Sequence, residues 1–208
     1  MPTQPEARHY HRNIYDSKRR FLSYWHQISE VCSVTPRAVL EIGHGNGFVK
    51  NYLAQNNIQT TTMDIDSELA PDVVGDITKK THFTDRQFDV VLAAEVLEHI
   101  PYDQFSHALE EIARITTYAV VSIPNNTPWY SLNANLPIVG RVKFFYEKRG
   151  TIMRDFSQDV RGHHWEIGVN GITLKRCEDD IRHYFQILKS YRMPEHPSHH
   201  FFLLKIKK

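Results

Sequence analysis

The stretch that decides the fold is residues 38–53, AVLEIGHGNGFVKNYL, where an apolar run meets a glycine-rich turn and a helical pattern. An apolar run that ends at Ile42 is typical of a strand buried in a parallel sheet. Gly43, Gly45 and Gly47 follow it, and glycine adopts positive φ and lets another molecule approach the backbone closely. Ligands in open α/β sheets bind beyond the carboxyl ends of the strands. The turn therefore predicts a ligand site.

The spacing of these glycines excludes two common nucleotide sites. A dinucleotide fingerprint, G-x-G-x-x-G, would need a glycine where Phe48 stands, which disfavours a nicotinamide-dependent oxidoreductase. A Walker A loop would need Gly-Lys followed by Ser or Thr, and the turn has neither. A glycine-rich strand-to-helix turn without any ligand remains as the alternative interpretation.

Strand and helix patterns alternate on both sides of the turn. Apolar runs predict strands at residues 37–42, 58–65, 71–77, 87–94, 118–124, 185–193 and 199–207. Amphipathic spacing predicts helices at residues 17–32, 47–55, 103–115 and 174–185. This alternation indicates an α/β fold with a largely parallel sheet, and the two late strands suggest a terminal antiparallel hairpin.

We expect the 208 residues to form a single domain. Residues 1–35 are predicted to be an N-terminal arm followed by a helix, with residues 1–15 as the loose part. In the helix, a spacing of three to four residues predicts one buried stripe, made of Phe21, Trp25, Ile28 and Cys32.

Residues 124–172 break the alternation of strands and helices. The segment mixes aromatic residues with Pro, Gly and Asn, and it is too long for a plain connection within a compact domain. We interpret it as an insertion or a lid.

Charge and cysteine content limit the partners and the compartment. The 25 basic and 24 acidic residues nearly cancel, which argues against general binding to nucleic acid or to an anionic membrane. No apolar run approaches the roughly 18 residues that a membrane-spanning helix needs, so we expect no stable membrane insertion. Cys32 and Cys177 are too few for a disulfide framework, and the polar N-terminus lacks a signal-peptide core. We therefore expect a cytoplasmic protein.

Carboxylates follow the next two predicted strands. Asp64 ends the second strand, where a carboxylate can accept hydrogen bonds from both ribose hydroxyls; a turn or helix-cap residue is the alternative. Asp76 ends the third strand and could accept a hydrogen bond from the exocyclic amine of adenine, or it is a solvated turn residue. The fourth strand ends at Ala93 and Ala94, which leave room for a bulky group beside the sheet.

Taken in order, the run VLEIGHGNG … MDID … VVGDI … FDVVLAAEVLEHI … VVSIP resembles the class I S-adenosylmethionine-dependent methyltransferases, and most of all their type 11 group. The resemblance covers residues 37–124. It implies a Rossmann-like, seven-stranded, mostly parallel sheet with an antiparallel last strand and helices on both faces. It also implies S-adenosylmethionine as the cofactor and methyl transfer as the activity.

The resemblance further implies a role for each matching residue. Glu41 would orient the amino-acid end of the cofactor, and Asp64 would hold its ribose. Asp76 would bind the adenine and Ile77 would pack on the ring. The remaining cofactor residues would act through their backbone: Gly43, Gly45, Gly47 and Ala93.

The segment after the fourth strand bears on the acceptor. Enzymes that methylate exocyclic amines of DNA or glutamine amides carry an Asn/Asp-Pro-Pro-aromatic motif there, and this chain reads AAEVLEH instead. Together with the near-zero charge, this favours a small-molecule acceptor with an oxygen or nitrogen nucleophile and no nucleic-acid partner. The alternative is a protein that binds S-adenosylmethionine without methyl transfer, as a regulator or an inactive partner.

Polar and aromatic residues near that segment and in the lid are candidates for the acceptor site. Removing a proton from an alcohol or a phenol needs a general base, commonly histidine, and the catalytic candidates are His99, His163 and His164. The predicted substrate contacts are Glu95, Trp165 and Glu166. The alternatives are a histidine that caps the turn before Pro101 and a folded lid with satisfied polar groups.

The 13 histidines do not by themselves predict a metal site. Adjacent histidines occur, but no C-x-x-C or H-E-x-x-H accompanies them, so no functional metal is expected. His196, His199 and His200 lie near the last strands and are interpreted as a solvated loop. The sequence leaves the oligomeric state open.

Overall fold

The computed structural model describes residues 16–138, 140–148, 150–157, 159–193 and 196–207, so the predicted arm at residues 1–15 lies outside the described part. The helices are α1 (Lys18–Cys32), α2 (Phe48–Gln55), α3 (Phe105–Ile115) and α4 (Leu174–Tyr184). The strands are β1 (Ala38–Ile42), β2 (Gln59–Asp64), β3 (Val73–Val74), β4 (Phe88–Ala94), β5 (Thr116–Pro124), β6 (Trp129–Leu136), β7 (Gly140–Glu147), β8 (Phe185–Arg192) and β9 (His199–Ile206). Among the described residues, no helix combines the length and the apolar character needed to cross a membrane.

Seven of the strands form one sheet in the order β3-β2-β1-β4-β5-β9-β8. Strands β1 to β5 pair in parallel, whereas β9 runs antiparallel to both β5 and β8. The predicted Rossmann-like, seven-stranded sheet is thereby confirmed. The strand order reverses between β1 and β4, and in open α/β sheets such a switch point opens a crevice at the carboxyl ends of the strands.

Helices cover both faces of the sheet, as predicted. On one face, Phe105 and Ile112 of α3 and Ile181 of α4 pack in the larger apolar cluster with side chains of the central strands. On the other face, Val31 of α1 and Leu53 of α2 belong to a second apolar cluster. Because apolar side chains fill both sides of the central strands, the strand ends are fixed in position.

The buried stripe predicted for α1 is wrong. Phe21 is 47% exposed and Trp25 is 62% exposed, whereas Tyr24, Gln27 and Glu30 are buried. The buried face is thus rotated by about one residue, roughly 100° of helix. The sequence pattern counted apolar residues only, but the buried polar side chains have partners: the Gln27 amide donates to a serine hydroxyl on the same helix, and Glu30 accepts from Lys189.

The segment at residues 124–172 contains regular structure that the sequence analysis missed. Strands β6 and β7 form an antiparallel two-stranded ribbon separate from the main sheet. The buried guanidinium of Arg192 holds the base of this ribbon, since its two Nη atoms donate to the carbonyl oxygens of Thr127 at 2.8 Å and Asn125 at 2.6 Å. Large apolar side chains along the ribbon are exposed, among them Tyr130 and Phe144.

Gly168 and Gly171 provide a matched test of how tightly residues 150–172 pack. Both have positive φ, of +85° and +79°. A Cβ on Gly168 would lie 2.5 Å from the backbone nitrogen of Thr127, whereas a Cβ on Gly171 would meet nothing within 4 Å. Alanine at either position strains the backbone by about 1–2 kcal/mol. At position 168 we expect a further loss of about 1–3 kcal/mol from overpacking.

Urea unfolding of Gly168→Ala and Gly171→Ala measures this difference. The first variant should lose clearly more stability than the second. Equal losses in the two variants would show that Gly168 does not pack against the backbone at Thr127.

Candidate active site

A partly open pocket of about 90 Å³ lies at the carboxyl ends of β1, β2 and β4. The residues that line it include six that the sequence singled out: Gly43, Asp64, Asp76, Ile77, Glu95 and His99. The fold thus brings together predicted cofactor residues and two predicted acceptor-site residues.

The glycine turn after β1 forms one wall of this pocket. Gly43, Gly45 and Gly47 all have positive φ, of 70°, 54° and 73°. The backbone nitrogen of Gly43 donates to the carbonyl oxygen of Met63 in β2 at 2.9 Å. A Cβ on Gly43 would lie 2.3 Å from Cγ2 of Val96, so the turns after β1 and β4 touch where only a glycine fits.

Asp64 and Asp76 are held by bonds to their own loops. Oδ1 of Asp64 accepts from the backbone nitrogen of Asp66 at 2.9 Å, and burial raises the pKa of Asp64. Oδ1 of Asp76 accepts from the backbone nitrogen and the hydroxyl of Thr78, at 2.9 and 2.7 Å. Burial alone would raise the pKa of Asp76, but the bonds from Thr78 and Lys79 lower it. Both carboxylates are therefore fixed in direction at the pocket, and their predicted ligand roles remain predictions.

A second pocket lies on the other side of the glycine turn and contains Glu41. Glu41 is buried, and its Oε2 has no hydrogen-bond partner. Burial raises the pKa of Glu41 to about 8, although the backbone and the charge of Lys50 oppose the shift. An unpartnered, buried carboxyl oxygen at a pocket suits a ligand that brings a cationic or N–H donor.

Helix α1 contributes side chains to the second pocket that the sequence analysis did not find: Arg20, Tyr24 and Gln27. The Tyr24 hydroxyl donates to Oδ1 of Asn46 at 3.2 Å, and the same oxygen accepts from the backbone nitrogen of Phe48 at 3.1 Å. This joins α1 to the glycine turn and to the start of α2. In the sequence, the only indication that α1 contributes to a pocket was the set of polar residues between its apolar ones.

Glu95 lies at the boundary of the two pockets and lines both. Its φ is +56°, a conformation uncommon for residues other than glycine, which directs the chain sharply out of β4. Oε1 accepts from the Ser122 hydroxyl at 2.9 Å and lies 3.5 Å from Nδ1 of His199. Burial raises the pKa of Glu95 to about 7, while the Ser122 bond lowers it. A buried carboxyl group thus sits where the two pockets meet.

Of the three histidines predicted to be catalytic, His99 and His163 contact each other and His164 does not take part in this contact. The rings of His99 and His163 are perpendicular, with centroids 4.9 Å apart. Nδ1 of His99 lies 3.3 Å from the carbonyl oxygen of Gly162, and Nδ1 of His163 lies 2.7 Å from Oε1 of Glu166. Burial, and then the charge of His163, lowers the pKa of His99 to about 4. His164 is half-buried and takes no part in this ring contact.

Trp165 and Glu166 lie behind the turn that follows β4 rather than on the pocket surface. The Trp165 indole is 3% exposed, and its N–H donates to the carbonyl oxygens of Leu97 at 3.2 Å and Ile100 at 3.1 Å. Glu166 is buried and pairs with Arg154 at 2.8 Å. This geometry favours the alternative of satisfied polar groups in a folded segment for both residues.

The interpretation of the late histidines as a solvated loop is wrong for His199 and His200. Both begin β9, and the ring of His200 is buried with its Nε2 2.9 Å from the Ser190 hydroxyl. Nδ1 of His199 lies 3.3 Å from the Ser23 hydroxyl of α1. The pairing of β9 with β5 places His199 next to Glu95, whereas the ring of His200 lies beside Ser190 and Asn125.

In a comparison with known proteins, the central part of the chain is similar to one family of domains. Residues 40–118 match the family model described as a methyltransferase domain. No curated protein matches the chain in sequence.

Solved structures share the fold over nearly the whole chain. The N-methyltransferase NodS of Bradyrhizobium japonicum, solved with S-adenosyl-L-homocysteine, is similar with a TM-score of 0.65 at 12% identity, over 97% of this chain and 96% of that one. An S-adenosylmethionine-dependent methyltransferase of Clostridium acetobutylicum has a TM-score of 0.61 at 15% identity, over 94% and 97%. The 1,6-didemethyltoxoflavin-N1-methyltransferase of Burkholderia thailandensis has a TM-score of 0.60 at 13% identity, over 97% and 85%.

Replacing Glu41 by glutamine tests the buried carboxyl group. The pKa of Glu41 is raised from 4.5 to about 8, so in this window the folded state binds more protons than the unfolded state. The free energy of unfolding should therefore fall as pH rises across the window, by up to about 1.4 kcal/mol per pH unit from this group. Glu41→Gln removes the titrating group and should flatten the profile.

Denaturant unfolding at several pH values measures this, with Glu110→Gln on the exposed side of α3 as the control. The control should keep the slope of the unsubstituted chain. Identical slopes for Glu41→Gln and the unsubstituted chain would contradict the raised pKa.

Proposed function

We propose that the chain is an S-adenosylmethionine-dependent methyltransferase that transfers the methyl group to an oxygen or nitrogen of a small polar molecule. The match to a methyltransferase domain and the class I fold support the enzyme class. The observation that carries this proposal is the position of Glu95, a buried carboxyl group shared by the two pockets. Around it lie His199, the hydroxyl of Ser122 and the guanidinium of Arg20. Such a polar, enclosed space suits a compact polar acceptor.

The residues of the two pockets fit the cofactor. The unpartnered oxygen of Glu41 suits the ammonium group at its amino-acid end, and Asp64 suits the ribose hydroxyls. Ile77 gives the first pocket an apolar surface for the adenine ring, and Asp76 stands beside it. When bound, the cofactor supplies a methyl group on a positively charged sulfur. The task of the chain is then to orient the acceptor and to take up its proton.

Methyl transfer forms a bond from the acceptor oxygen or nitrogen to the methyl carbon, breaks the carbon–sulfur bond and releases the acceptor's proton. We assign this proton to the histidines next to the pocket: His99 lines it and touches His163, while His164 is adjacent. One protein of similar fold was solved with bound 1,6-didemethyltoxoflavin, which supports a small-molecule acceptor.

We place the reaction in the cytoplasm. Cys32 and Cys177 form no disulfide, and burial raises the pKa of both thiols, which keeps them in the less reactive protonated form. Unpaired cysteines are the usual state in a reducing compartment.

Asp64→Ala tests the cofactor assignment. Loss of hydrogen bonds to a charged group costs about 1.5–3 kcal/mol, so the affinity for S-adenosylhomocysteine should fall by about tenfold or more. Titration calorimetry measures it, with Asp103→Ala at an exposed position as the matched control. An unchanged affinity of Asp64→Ala for S-adenosylhomocysteine would contradict the proposal that Asp64 binds the ribose.

The acceptor class is tested with S-adenosylmethionine that carries a deuterated methyl group. The chain is incubated with a small-molecule extract, with nucleic acid and with protein, and mass spectrometry locates the label. We expect the label in a low-mass compound, and less of it with Asp64→Ala. Label in nucleic acid or protein alone would contradict the proposal, and cofactor binding without any transfer would favour the regulatory alternative.

We also propose that residues 124–172 act as a lid, with the β6–β7 ribbon over the acceptor. The ribbon is anchored at its base by Arg192 and exposes apolar side chains along its length. Limited proteolysis within the ribbon should slow when acceptor and cofactor are both bound, and should not slow with cofactor alone. Equal protection by either ligand would count against a lid.

A further inference from the structure

Glu98 is a buried carboxyl group that receives no hydrogen bond from the side chains or backbone of other described residues. It lies in the short 3₁₀ turn Leu97–His99 that follows β4, and it is fully buried. Neither of its carboxylate oxygens has a hydrogen-bond partner from another residue. Burial raises the pKa of Glu98 well above its usual value, and the carboxyl group of Glu95 raises it further. Buried carboxyl groups in proteins are normally hydrogen-bonded, paired or bound to a metal, so this group could exchange its proton for a metal ion.

Two imidazoles face this carboxyl group. Nε2 of His163 lies 3.8 Å from Oε1 of Glu98, which is too long for a hydrogen bond. Glu98, His99 and His163 each offer one ligand atom, and these three atoms lie within 4.8 Å of one another. Their spacing leaves room for an ion at the centre, bound by all three.

The other ring nitrogen of each histidine is already engaged. Nδ1 of His163 lies 2.7 Å from Glu166, and Nδ1 of His99 lies 3.3 Å from the carbonyl oxygen of Gly162. When each Nδ1 donates its proton to these acceptors, each Nε2 keeps a lone pair, and Nε2 of His163 lies 3.8 Å from Oε1 of Glu98. Metal-binding histidines characteristically donate their second ring nitrogen to a carboxylate or a carbonyl in this way.

A neighbouring group, Asp159, His163 and Glu166, has similar spacing but a different charge balance. The guanidinium of Arg161 pairs with Asp159 at 2.5 Å and with Glu166 at 2.7 Å. These two carboxylates therefore have close arginine partners, whereas the charged contact of Glu98 among the described residues is His163 at 3.8 Å. Of the two groups, the one that contains Glu98 is therefore the better candidate for a cation site.

We propose that Glu98, His99 and His163 bind a divalent transition-metal ion such as Zn²⁺. Two imidazoles and one carboxylate form a donor set known from catalytic zinc sites and from iron sites, and it leaves at least one coordination position open. This binding stands independently of the proposed function.

The place of the ion gives it a role in that function. His99 also lines the first pocket, next to Glu95. In a step that rests on the proposed function, an oxygen of the acceptor would occupy the open position, which would lower the pKa of its hydroxyl. The carboxylate of Glu95, which lines the same pocket, would then take the proton in place of the histidines. The two histidines then act as ligands of the ion, and the acceptor class narrows to molecules with an oxygen ligand.

Titration calorimetry of the chelator-treated chain with Zn²⁺ tests the site directly. We expect one ion per chain, with binding lost in Glu98→Gln and in His163→Ala. Glu166→Gln removes the carboxylate beside Nδ1 of His163 and also its ion pairs with Arg154 and Arg161, and it should weaken binding by about 10- to 100-fold. His107→Ala, exposed on α3, and His196→Ala, which removes the ring stacked on His199, should bind as the unsubstituted chain does. Unchanged binding in Glu98→Gln, or loss in His196→Ala, would overturn the proposal.

Two further measurements separate misfolding from loss of the site. The absorption spectrum of Co²⁺ bound to the unsubstituted chain should show low-coordinate nitrogen and oxygen ligation, and a spectrum like that of the hydrated ion would contradict the site. S-adenosylhomocysteine binding by Glu98→Gln should persist, which shows that the variant is folded. If the unsubstituted chain binds the cofactor but no metal, the metal site is wrong and the proposed function is unaffected. If it binds the metal but no cofactor, the proposed function is wrong and the metal site is unaffected.

The role of the ion is tested by chelation during the labelled transfer assay. Transfer should stop while S-adenosylhomocysteine affinity stays the same, and Zn²⁺ should restore it. Transfer that continues unchanged after chelation would show that the ion takes no part in the reaction.

Discussion

The contact between Gly43 and Val96 is the constraint on which the site depends. A Cβ at position 43 would lie 2.3 Å from Cγ2 of Val96, so only glycine allows the turn after β1 to touch the turn after β4. Val96 is flanked by Glu95 and by the 3₁₀ turn that carries Glu98 and His99. The same close approach therefore sets the distance from the glycine turn, where we propose that the cofactor binds, to Glu95, Glu98 and His99.

The segment at residues 124–172 has two parts with different roles. The β6–β7 ribbon stands apart from the main sheet, whereas residues 162–166 pack against the turn after β4. There the backbone nitrogen of His164 donates to the carbonyl oxygen of Glu98 at 2.8 Å, and the Trp165 indole binds two further carbonyl oxygens of the turn. Residues 162–166 pack behind the turn after β4, and the β6–β7 ribbon is the part that we propose as the cover.

Local patterns in the sequence were enough to predict the sheet, the glycine turn and the carboxylates at the strand ends. These features depend on neighbours a few residues apart, and the parallel order of the strands then brings their ends together. Local patterns did not predict that α1 lines the second pocket, with Tyr24 on its buried face. The polar residues of α1 are buried by partners that are distant in the sequence. The group around Glu98 was missed for the same reason, since His163 reaches it only through the packing of the lid segment.

We therefore propose that the cofactor occupies the two pockets on either side of the glycine turn and that the acceptor binds at Glu95, where the pockets meet. A crystal structure of the chain grown with S-adenosylhomocysteine and Zn²⁺ tests this most directly. We expect the ribose beside Asp64, the amino-acid end beside Glu41, and anomalous density for zinc between Glu98 and His163. A ligand bound away from the glycine turn would contradict the account.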